Sequence, residues 1–317
     1  MELEAARGAV ALGETHDDWS GLLARTSRTF ALTIPMLPEP LRAEVAVAYL
    51  LFRIIDTFED ATRWEPARRV EALGYFARLM DGERPPDARR TVDEWSRDPP
   101  LEHEGYLELL RSTHEVLGWH RRLAPAARAH LARHVARSAR AMAVVVERTD
   151  ARGLLALGTL QELRDYCFAV AGIVGEMLTE LFLLQCPPLE IVAGDLRARS
   201  VEFGEALQLV NILKDSAADA AEGRAYLPEG VSPPEVFQLA RSDLRRAIEY
   251  TELLRAAGGA SGVVAFNALN ARLAIGTLHL LRDKGAGAKL ARIRVMAIAA
   301  EVLRAVETGA PLFPETP

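Results

Sequence analysis

Apolar residues spaced as on one face of a helix constrain the fold of this chain more than any other feature. In nearly every apolar-rich segment they return after three, four and seven positions, whereas sustained alternation at every second position is hard to find. That periodicity is typical of α-helices and disfavours a sheet. Prolines and glycines lie between the segments and end them. The pattern predicts helices over residues 19–29, 41–63, 66–81, 106–117, 125–148, 160–184, 192–220, 232–257, 263–282 and 288–307.

Composition and chain organisation favour a single all-α domain. The chain has 317 residues, of which 50% are hydrophobic and 26% charged, a balance typical of a soluble globular protein. It contains no internal repeat at a fixed period and no linker long enough to separate two domains. We therefore predict one domain over residues 1–317, with a flexible segment at 1–18 and a C-terminal tail at 308–317. The charged, proline-rich stretch 84–104 is interpreted as a surface excursion between helices.

Charge, cysteine content and hydropathy exclude several classes of protein. The formal net charge of −6 argues against a generic nucleic-acid binder. Two cysteines make no disulfide framework, which fits a reducing cytoplasm. Residues 1–19 lack the apolar core of a secretory signal, and no uninterrupted apolar run reaches the roughly 18 residues of a spanning helix. We predict a cytoplasmic protein that contacts the inner face of the membrane peripherally, for which four arginines are candidates: Arg128, Arg133, Arg137 and Arg140.

The first candidate site is an acidic triplet at the end of a strongly apolar helix. Asp56, Glu59 and Asp60 stand at positions i, i+3 and i+4, so their carboxylates share one helical face. Residues 45–55 before them are apolar on nearly all sides, as in a helix buried in a bundle. Adjacent acids in such a place need a counter-charge, and oxygen ligands favour Mg²⁺, with Mn²⁺ as the alternative ion. A merely solvated acidic face remains the other interpretation.

The second candidate site is a polar stripe on a later helix. Gln208, Asn211, Asp215 and Asp219 follow one another at three, four and four residues within an otherwise apolar segment. Taken alone, the stripe also fits hydrogen bonding between helices. Two acidic motifs that faced each other across a cavity would form a clamp for Mg²⁺ ions that carry a diphosphate.

These motifs, together with several others in the same order, resemble the squalene/phytoene synthase family. The matching segments cover residues 20–280: SRTF at 27–30 with LP at 37–38, YLLFR at 49–53 leading into DTFED at 56–60, YCFAVAGIVG at 166–175, NILKD at 211–215 with Asp219, GRAYLP at 223–228 and LAIGTL at 273–278. The resemblance implies an isoprenoid synthase helical bundle with a central apolar cavity. It further implies a prenyltransferase that condenses two farnesyl diphosphates to presqualene diphosphate and reduces this with NADPH to squalene, a sterol and hopanoid precursor.

The resemblance also assigns roles to individual residues. Tyr166 becomes the catalytic candidate for assisting proton removal, beside the metal-binding set Asp56, Glu59, Asp60, Asp215 and Asp219. Binding of the diphosphate substrate is assigned to a larger set: Ser27, Arg28, Tyr49, Arg53, Gln208, Asn211, Lys214, Arg224 and Tyr226. The phosphates of NADPH would meet Arg28, Arg53, Lys214 and Lys289.

Three departures from the family pattern leave the reaction open. Ala218 stands where an acid is common, Lys214 replaces an arginine, and Asn270 occupies a position where many relatives have proline. Alternatives are a phytoene or dehydrosqualene synthase that needs no NADPH, an enzyme that stops at presqualene diphosphate or makes hydroxysqualene, and a non-enzymatic helical scaffold. Substrate chain length and oligomeric state are also left open by the sequence.

Overall fold

The computed structural model describes residues 19–84, 88–150, 155–221 and 226–317, without the side chains of 88 and 219–221. In these ranges the chain forms helices and connecting segments and no strand, which confirms the all-α prediction. The α-helices are numbered here in chain order: α1 (Trp19–Thr26), α2 (Phe30–Thr33), α3 (Leu41–Glu59), α4 (Pro66–Met80), α5 (Ala88–Arg97), α6 (Glu104–Arg111), α7 (Thr113–Arg122), α8 (Pro125–Glu147), α9 (Leu160–Cys167), α10 (Ile173–Gln185), α11 (Ala193–Ala221), α12 (Pro233–Ala256), α13 (Ser261–Lys284) and α14 (Arg292–Thr308). Two 3₁₀ turns, Ile34–Met36 and Pro187–Val192, and one π-helical turn, Phe168–Gly172, complete the order. The predicted segment 1–18 lies outside the described residues.

Helix α3 is the central element of the bundle. Its residues are buried on nearly all sides, with Leu50, Ile54 and Phe58 at 0% exposure. It packs against helices on several sides, among them α1, α4, α8 and α10. A helix that is apolar all round belongs in the core. Its C-terminal end carries the acidic triplet, of which Glu59 is buried and Asp56 and Asp60 are half-buried.

Two hydrophobic clusters meet around the middle of the molecule. The larger is built on α3 and α13, and the smaller on α9, α11 and the start of α12. Val170 and Leu207 pack against both clusters. The cavities described below open where these clusters meet.

The stretch 84–104 is not a surface excursion, so that prediction was wrong for its central part. Residues Ala88–Arg97 form α5, and Val92 and Trp95 are 3% and 5% exposed. The Trp95 ring lies 4.6 Å from Phe58 and 5.8 Å from Tyr75, between ring centroids. Two apolar residues one helical turn apart are too weak a periodic signal to stand out among charged residues and prolines.

Several predicted helices differ from the structure at their ends or in their interior: the one predicted for 19–29 ends at Thr26, and the one predicted for 288–307 begins at Arg292. The helix predicted for 41–63 ends at Glu59, and 106–117 is divided between α6 and α7 at Ser112. The helix predicted for 160–184 is interrupted by the π-helical turn Phe168–Gly172. Within that turn the Ala169 carbonyl accepts a hydrogen bond from Ser138 Oγ at 2.6 Å. A single π turn changes no hydrophobic spacing strongly enough to be predicted from sequence.

The C-terminal tail packs against the bundle, and two of the core helices are strongly apolar. Leu312 is fully buried and Arg241 Nη2 donates to the Pro317 carbonyl at 2.9 Å, so the tail packs against the bundle. Two helical stretches, Leu160–Gln185 and Ser261–Lys284, are long and apolar enough to cross a membrane by composition. Half of the first apolar window and 78% of the second are buried inside the bundle. Helices of a soluble core show the same composition.

Candidate active site

One cavity of about 420 Å³ brings the two acidic motifs together. The end of α3 forms one part of its wall and the C-terminal half of α11 forms another, while Tyr106 on α6, Tyr166 on α9 and Tyr226 complete the lining. The lining residues are Arg53, Asp56, Glu59, Asp60, Tyr106, Tyr166, Val170, Gln208, Asn211, Ile212, Lys214, Asp215 and Tyr226. Segments that are far apart in the sequence therefore share one polar space.

The wall formed by α3 combines the acidic triplet with one buried guanidinium. Arg53 Nη1 lies 3.5 Å from Asp56 Oδ2, and its guanidinium lies 5.1 Å from the centre of the Tyr106 ring. Burial raises the pKa of the Asp56 carboxyl to about 6, the charge of Arg53 opposes that rise, and Asp60 adds to it. Glu59 is 6% exposed. The Asp56 side chain is 28% exposed, and all three acids line the polar cavity.

The wall formed by α11 carries a lysine between an amide and a carboxylate. Lys214 Nζ donates to Asn211 Oδ1 at 2.9 Å and lies 3.3 Å from Asp215 Oδ2. Gln208 extends the same stripe by one helical turn. Asp219 falls on the backbone of α11, but its side chain lies outside the description, and Arg224 lies outside the described residues.

The donor atoms of the cavity fit divalent cations. Its described side chains include the carboxylates of Asp56, Glu59, Asp60 and Asp215, against the cations of Arg53 and Lys214 alone. Within the described ranges no three His, Cys, Asp or Glu side chains converge closely enough to hold a metal by themselves. Mg²⁺ commonly takes only one or two carboxylates and completes its shell with water and phosphate oxygens. Oxygen donors from two helices around one cavity suit that mode of binding.

A second, apolar cavity of about 190 Å³ continues inward from the first. The two cavities share Arg53, Asp56, Val170, Gln208 and Asn211, so the acidic space adjoins the apolar one. Aromatic rings and aliphatic side chains line most of its wall, including Phe30, Phe52, Phe203, Phe266, Leu178 and Leu207. Such a wall shields a hydrocarbon chain and a developing carbocation from water.

A third space of about 280 Å³ adjoins both cavities and carries several predicted binding residues. Ser27 lines it together with Arg53 and Lys214, while Arg28 beside Ser27 is exposed. Tyr49 lies on the wall of the apolar cavity, and its hydroxyl donates to the Thr26 carbonyl at 2.8 Å. Exposed Lys289 lies in the loop before α14, where Gly287 N donates to the Lys214 carbonyl at 2.8 Å. That hydrogen bond holds the loop against the backbone of Lys214, whose side chain lines the polar cavity.

Tyr166 points into the polar cavity and is 5% exposed. Its ring stacks on Tyr226, with 5.0 Å between the centroids. Burial, together with the charge of Glu59, raises the pKa of the Tyr166 hydroxyl well above its ordinary value, so the phenol is neutral at physiological pH. A neutral phenol beside carboxylates can accept or donate a hydrogen bond where a proton is transferred.

Sequence reasoning missed Tyr106 and two asparagines at the site. Tyr106 reaches the polar cavity from α6, which has no motif, while Asn267 and Asn270 on α13 line the apolar cavity. The adjacent Gly105 offers a structural reason for the position of Tyr106, because a Cβ there would lie 2.5 Å from the Arg25 carbonyl oxygen. A glycine at a close helix contact is the only sequence signal that could have indicated it.

A buried charge cluster beneath the cavity joins α9, α11 and α12. Glu205 and Asp243 have side chains 4% exposed, and Arg164 Nη atoms lie 2.9 Å from Glu205 Oε2 and 3.9 Å from Asp243 Oδ1. Asp243 Oδ2 is buried with no hydrogen-bond partner among the described residues. Burial raises the pKa of Glu205 to about 7, the charge of Arg164 opposes this, and Asp243 adds to the rise. Arg164, two residues before Tyr166, is thus the cation that lies near both buried acids.

Glu205→Gln is expected to remove a pH dependence of stability. The folded protein holds a proton on Glu205 up to a pKa of about 7, whereas the unfolded chain releases it near the ordinary glutamate pKa of 4.5. Wild-type stability therefore falls as the pH rises through that interval. The advantage of the variant over wild type should grow by on the order of 1–3 kcal/mol between pH 5 and pH 8. Thermal unfolding at both pH values measures it, with Glu252→Gln as an exposed control; parallel curves for Glu205→Gln and wild type would contradict the assignment.

The sequence of this chain is similar to a known family and to individual members of it. A model of the squalene/phytoene synthase family matches residues 23–307. The squalene synthase of Eremothecium gossypii is 32% identical over 215 residues, which cover 66% of this chain and 45% of that protein. The phytoene synthase of Thermus thermophilus is 41% identical over 76 residues, 24% of each chain. The chain thus aligns with less than half the length of these curated relatives.

Solved structures share the fold. TcSQS in complex with E5700 superposes with a TM-score of 0.72 at 22% identity, over 89% of this chain and 84% of that one. A dehydrosqualene synthase in complex with a ligand superposes with a TM-score of 0.55 at 17% identity, over 92% and 96% of the two chains. These likenesses confirm that the bundle is a squalene synthase-type helical fold.

Proposed function

This chain belongs to the squalene/phytoene synthase family, as its motifs implied, and on that premise we propose that it joins two farnesyl diphosphates head to head. In the first half-reaction one substrate loses diphosphate, its C1 is attacked by the double bond of the other, and loss of a proton closes the cyclopropane of presqualene diphosphate. In the second, loss of the remaining diphosphate and rearrangement give a cation that accepts hydride from NADPH. The products are squalene, NADP⁺ and a second diphosphate.

The observation that carries the proposal is the continuity of the acidic and apolar cavities. A prenyl diphosphate has a highly charged head and a hydrocarbon tail, and each end finds a matching environment around Arg53 and Asn211, which line both spaces. Mg²⁺ or Mn²⁺ held by Asp56, Glu59, Asp60, Asp215 and Asp219 would neutralise the diphosphate as it leaves. Arg53 and Lys214 add fixed positive charge at the same end.

Residues of the apolar cavity would govern the fate of the cation. Phe30, Phe52 and Phe203 present aromatic faces and exclude water from the space where the hydrocarbon would lie. Tyr166 lines the polar cavity. Its neutral hydroxyl would take part in transferring the proton that the cyclopropane step releases. Diphosphate or water nearby would then carry that proton away.

The NADPH assignment is supported by two of its four cations, which line the third space. Arg53 and Lys214 line that space, and the loop of Lys289 is bonded to the Lys214 backbone. Arg28 is exposed beside Ser27, at the outer edge. These four side chains could meet the phosphates of the nucleotide while its ring reaches inward.

Product analysis tests the proposed function. Purified protein with farnesyl diphosphate and Mg²⁺ is expected to release squalene when NADPH is present and presqualene diphosphate when it is absent. Removal of the metal with EDTA should abolish both products, and added Mg²⁺ should restore them. Dehydrosqualene or hydroxysqualene irrespective of NADPH would assign the chain to a sister activity, and turnover of geranylgeranyl diphosphate alone would overturn the substrate.

A further inference from the structure

The outward face of α14 is an exposed apolar stripe. Ile293, Met296 and Leu303 are 81%, 51% and 43% exposed, and exposed Ala300 lies between them. Their spacing of three, four and three residues places them on one side of the helix, over about 15 Å. They make up half of the large apolar side chains that are exposed in the described part of the chain.

The opposite face of α14 is the face that packs against the rest of the protein. Ile298 and Val302 are 2% and 0% exposed, and α14 packs against α13. The C-terminal tail does not cover the outward stripe, since His279 on α13 hydrogen-bonds the Thr316 carbonyl at 2.9 Å and Arg241 on α12 bonds that of Pro317. The stripe is therefore not needed for the fold and has no apolar neighbour among the described residues that buries it.

Positive charges border the stripe. Lys284, Lys289, Arg292 and Arg304 are exposed, and none has a carboxylate partner in the described ranges. Arg292 and Arg304 directly flank Ile293 and Leu303 in the sequence. Of the two acids on this helix, Glu301 is held by Arg272 and Arg294, which leaves Glu307 in the last turn. In a chain of net charge −6 this is a locally cationic edge.

We propose that this face, the α14 stripe with its bordering cations, docks on an anionic phospholipid bilayer. Apolar side chains would enter the headgroup region while the cations meet lipid phosphates, as in amphipathic helices that lie in the membrane interface. A second copy of the chain fits less well, because a two-fold contact would bring the same cationic edge against itself.

The arginines first considered for lipid contact are engaged elsewhere. Arg137 and Arg140 on α8 pair with Glu176 and Asp81. Arg128 Nη1 donates to the Arg121 carbonyl at 3.0 Å. Arg133 Nη2 lies 3.2 Å from His130 Nδ1. The apolar stripe beside the α14 cations therefore favours α14 over α8 as the docking face.

The position of the stripe also suits the proposed function. Only this part of the argument rests on that function. Leu290, just before α14, approaches Gly276, and Thr277 beside it lines the third space. Gly287 in the same loop is bonded to Lys214. A bilayer against α14 would lie beside the entrance used by a lipid substrate or product.

Vesicle co-sedimentation of the full chain tests the docking surface independently of turnover. Wild type is expected to bind vesicles of phosphatidylcholine with phosphatidylglycerol, to lose binding as salt rises, and to bind pure phosphatidylcholine weakly. Ile293→Glu with Met296→Glu should weaken binding by about tenfold or more. Arg292→Glu with Arg304→Glu should weaken it on anionic vesicles by about tenfold. Ile191→Glu, at a residue 87% exposed outside α14, is the control and should bind as wild type does.

Three outcomes would overturn the proposal. Equal vesicle binding by the Ile293/Met296 variant and wild type would place membrane contact elsewhere. No binding of wild type to anionic vesicles would exclude a lipid occupant. A wild-type dimer that this variant converts to a monomer, seen by analytical ultracentrifugation, would assign the stripe to a second copy. Circular dichroism checks that the variants are folded. Turnover in detergent, expected to be unchanged, checks that the proposed enzymatic activity is intact, so a loss of vesicle binding can be assigned to the docking surface.

Discussion

Asp56→Asn and Asp215→Asn are each expected to lower turnover of farnesyl diphosphate by about three orders of magnitude. The two carboxylates line the same polar cavity from different helices, so each would supply an oxygen to the cations that hold the diphosphate. Asparagine keeps the shape of the side chain and one neutral oxygen but removes the charge. Steady-state kinetics at saturating Mg²⁺, with the release of diphosphate as the readout, measure the loss.

Thermal unfolding separates this role from a structural one. Burial and the neighbouring Asp60 raise the pKa of Asp56 while Arg53 opposes the rise, so the ionised carboxylate is unfavourable in the folded protein without a bound cation. Asp56→Asn should therefore unfold in EDTA at a temperature no lower than wild type does. Loss of activity without loss of stability is the pattern of a functional carboxylate.

Asp195→Asn is the matched control. Asp195 begins the same helix as Asp215, but it is exposed at the surface, where Arg199 Nη1 lies 3.2 Å from its Oδ1. Its replacement should leave turnover within about twofold of wild type, since a surface ion pair contributes little. Turnover by Asp56→Asn or Asp215→Asn at the control level would show that the facing motifs do not bind metal.

The fold was predictable from sequence because its signals are local. Apolar spacing and breakers place most helices to within a few residues; Thr159 and Glu162, for example, form a reciprocal cap at the start of α9. The interruption at Phe168–Gly172 and the burial of Trp95 on α5 were not predictable, because both depend on tertiary partners. Periodicity reports which face of a helix is apolar and does not report what packs there.

The site was predictable where residues share one helix and unpredictable where helices meet. The spacing of Asp56 and Glu59 predicts that they share one helical face, and the spacing of Asn211 and Asp215 predicts the same for them. Tyr106, by contrast, belongs to no motif and reaches the cavity only through the packing of α6. A contact between distant segments leaves no mark on either segment alone.

A close helix contact behind the apolar cavity gives the second large effect. Gly204 on α11 faces the π-helical turn, and a Cβ at this position would lie 2.1 Å from the Ala171 carbonyl oxygen and 3.1 Å from Gly172 N. Both are backbone atoms, so a methyl group has no flexible neighbour to displace. The two segments would have to separate along their whole contact, which includes Gly175 against the Ser200 carbonyl.

Gly204→Ala is accordingly expected to destabilise the protein by about 2–4 kcal/mol and to lower its melting temperature by about 3–6 °C. Since Gly204 lines the apolar cavity, turnover should fall as well. Gly194→Ala on the same helix is the control: a Cβ there meets nothing within 4 Å, and removing a helical glycine should leave the protein as stable or slightly more so. Calorimetry of both variants decides the matter. Equal melting temperatures for the two would mean that α11 and the π-helical turn do not approach as closely in solution as the Gly204 contact requires.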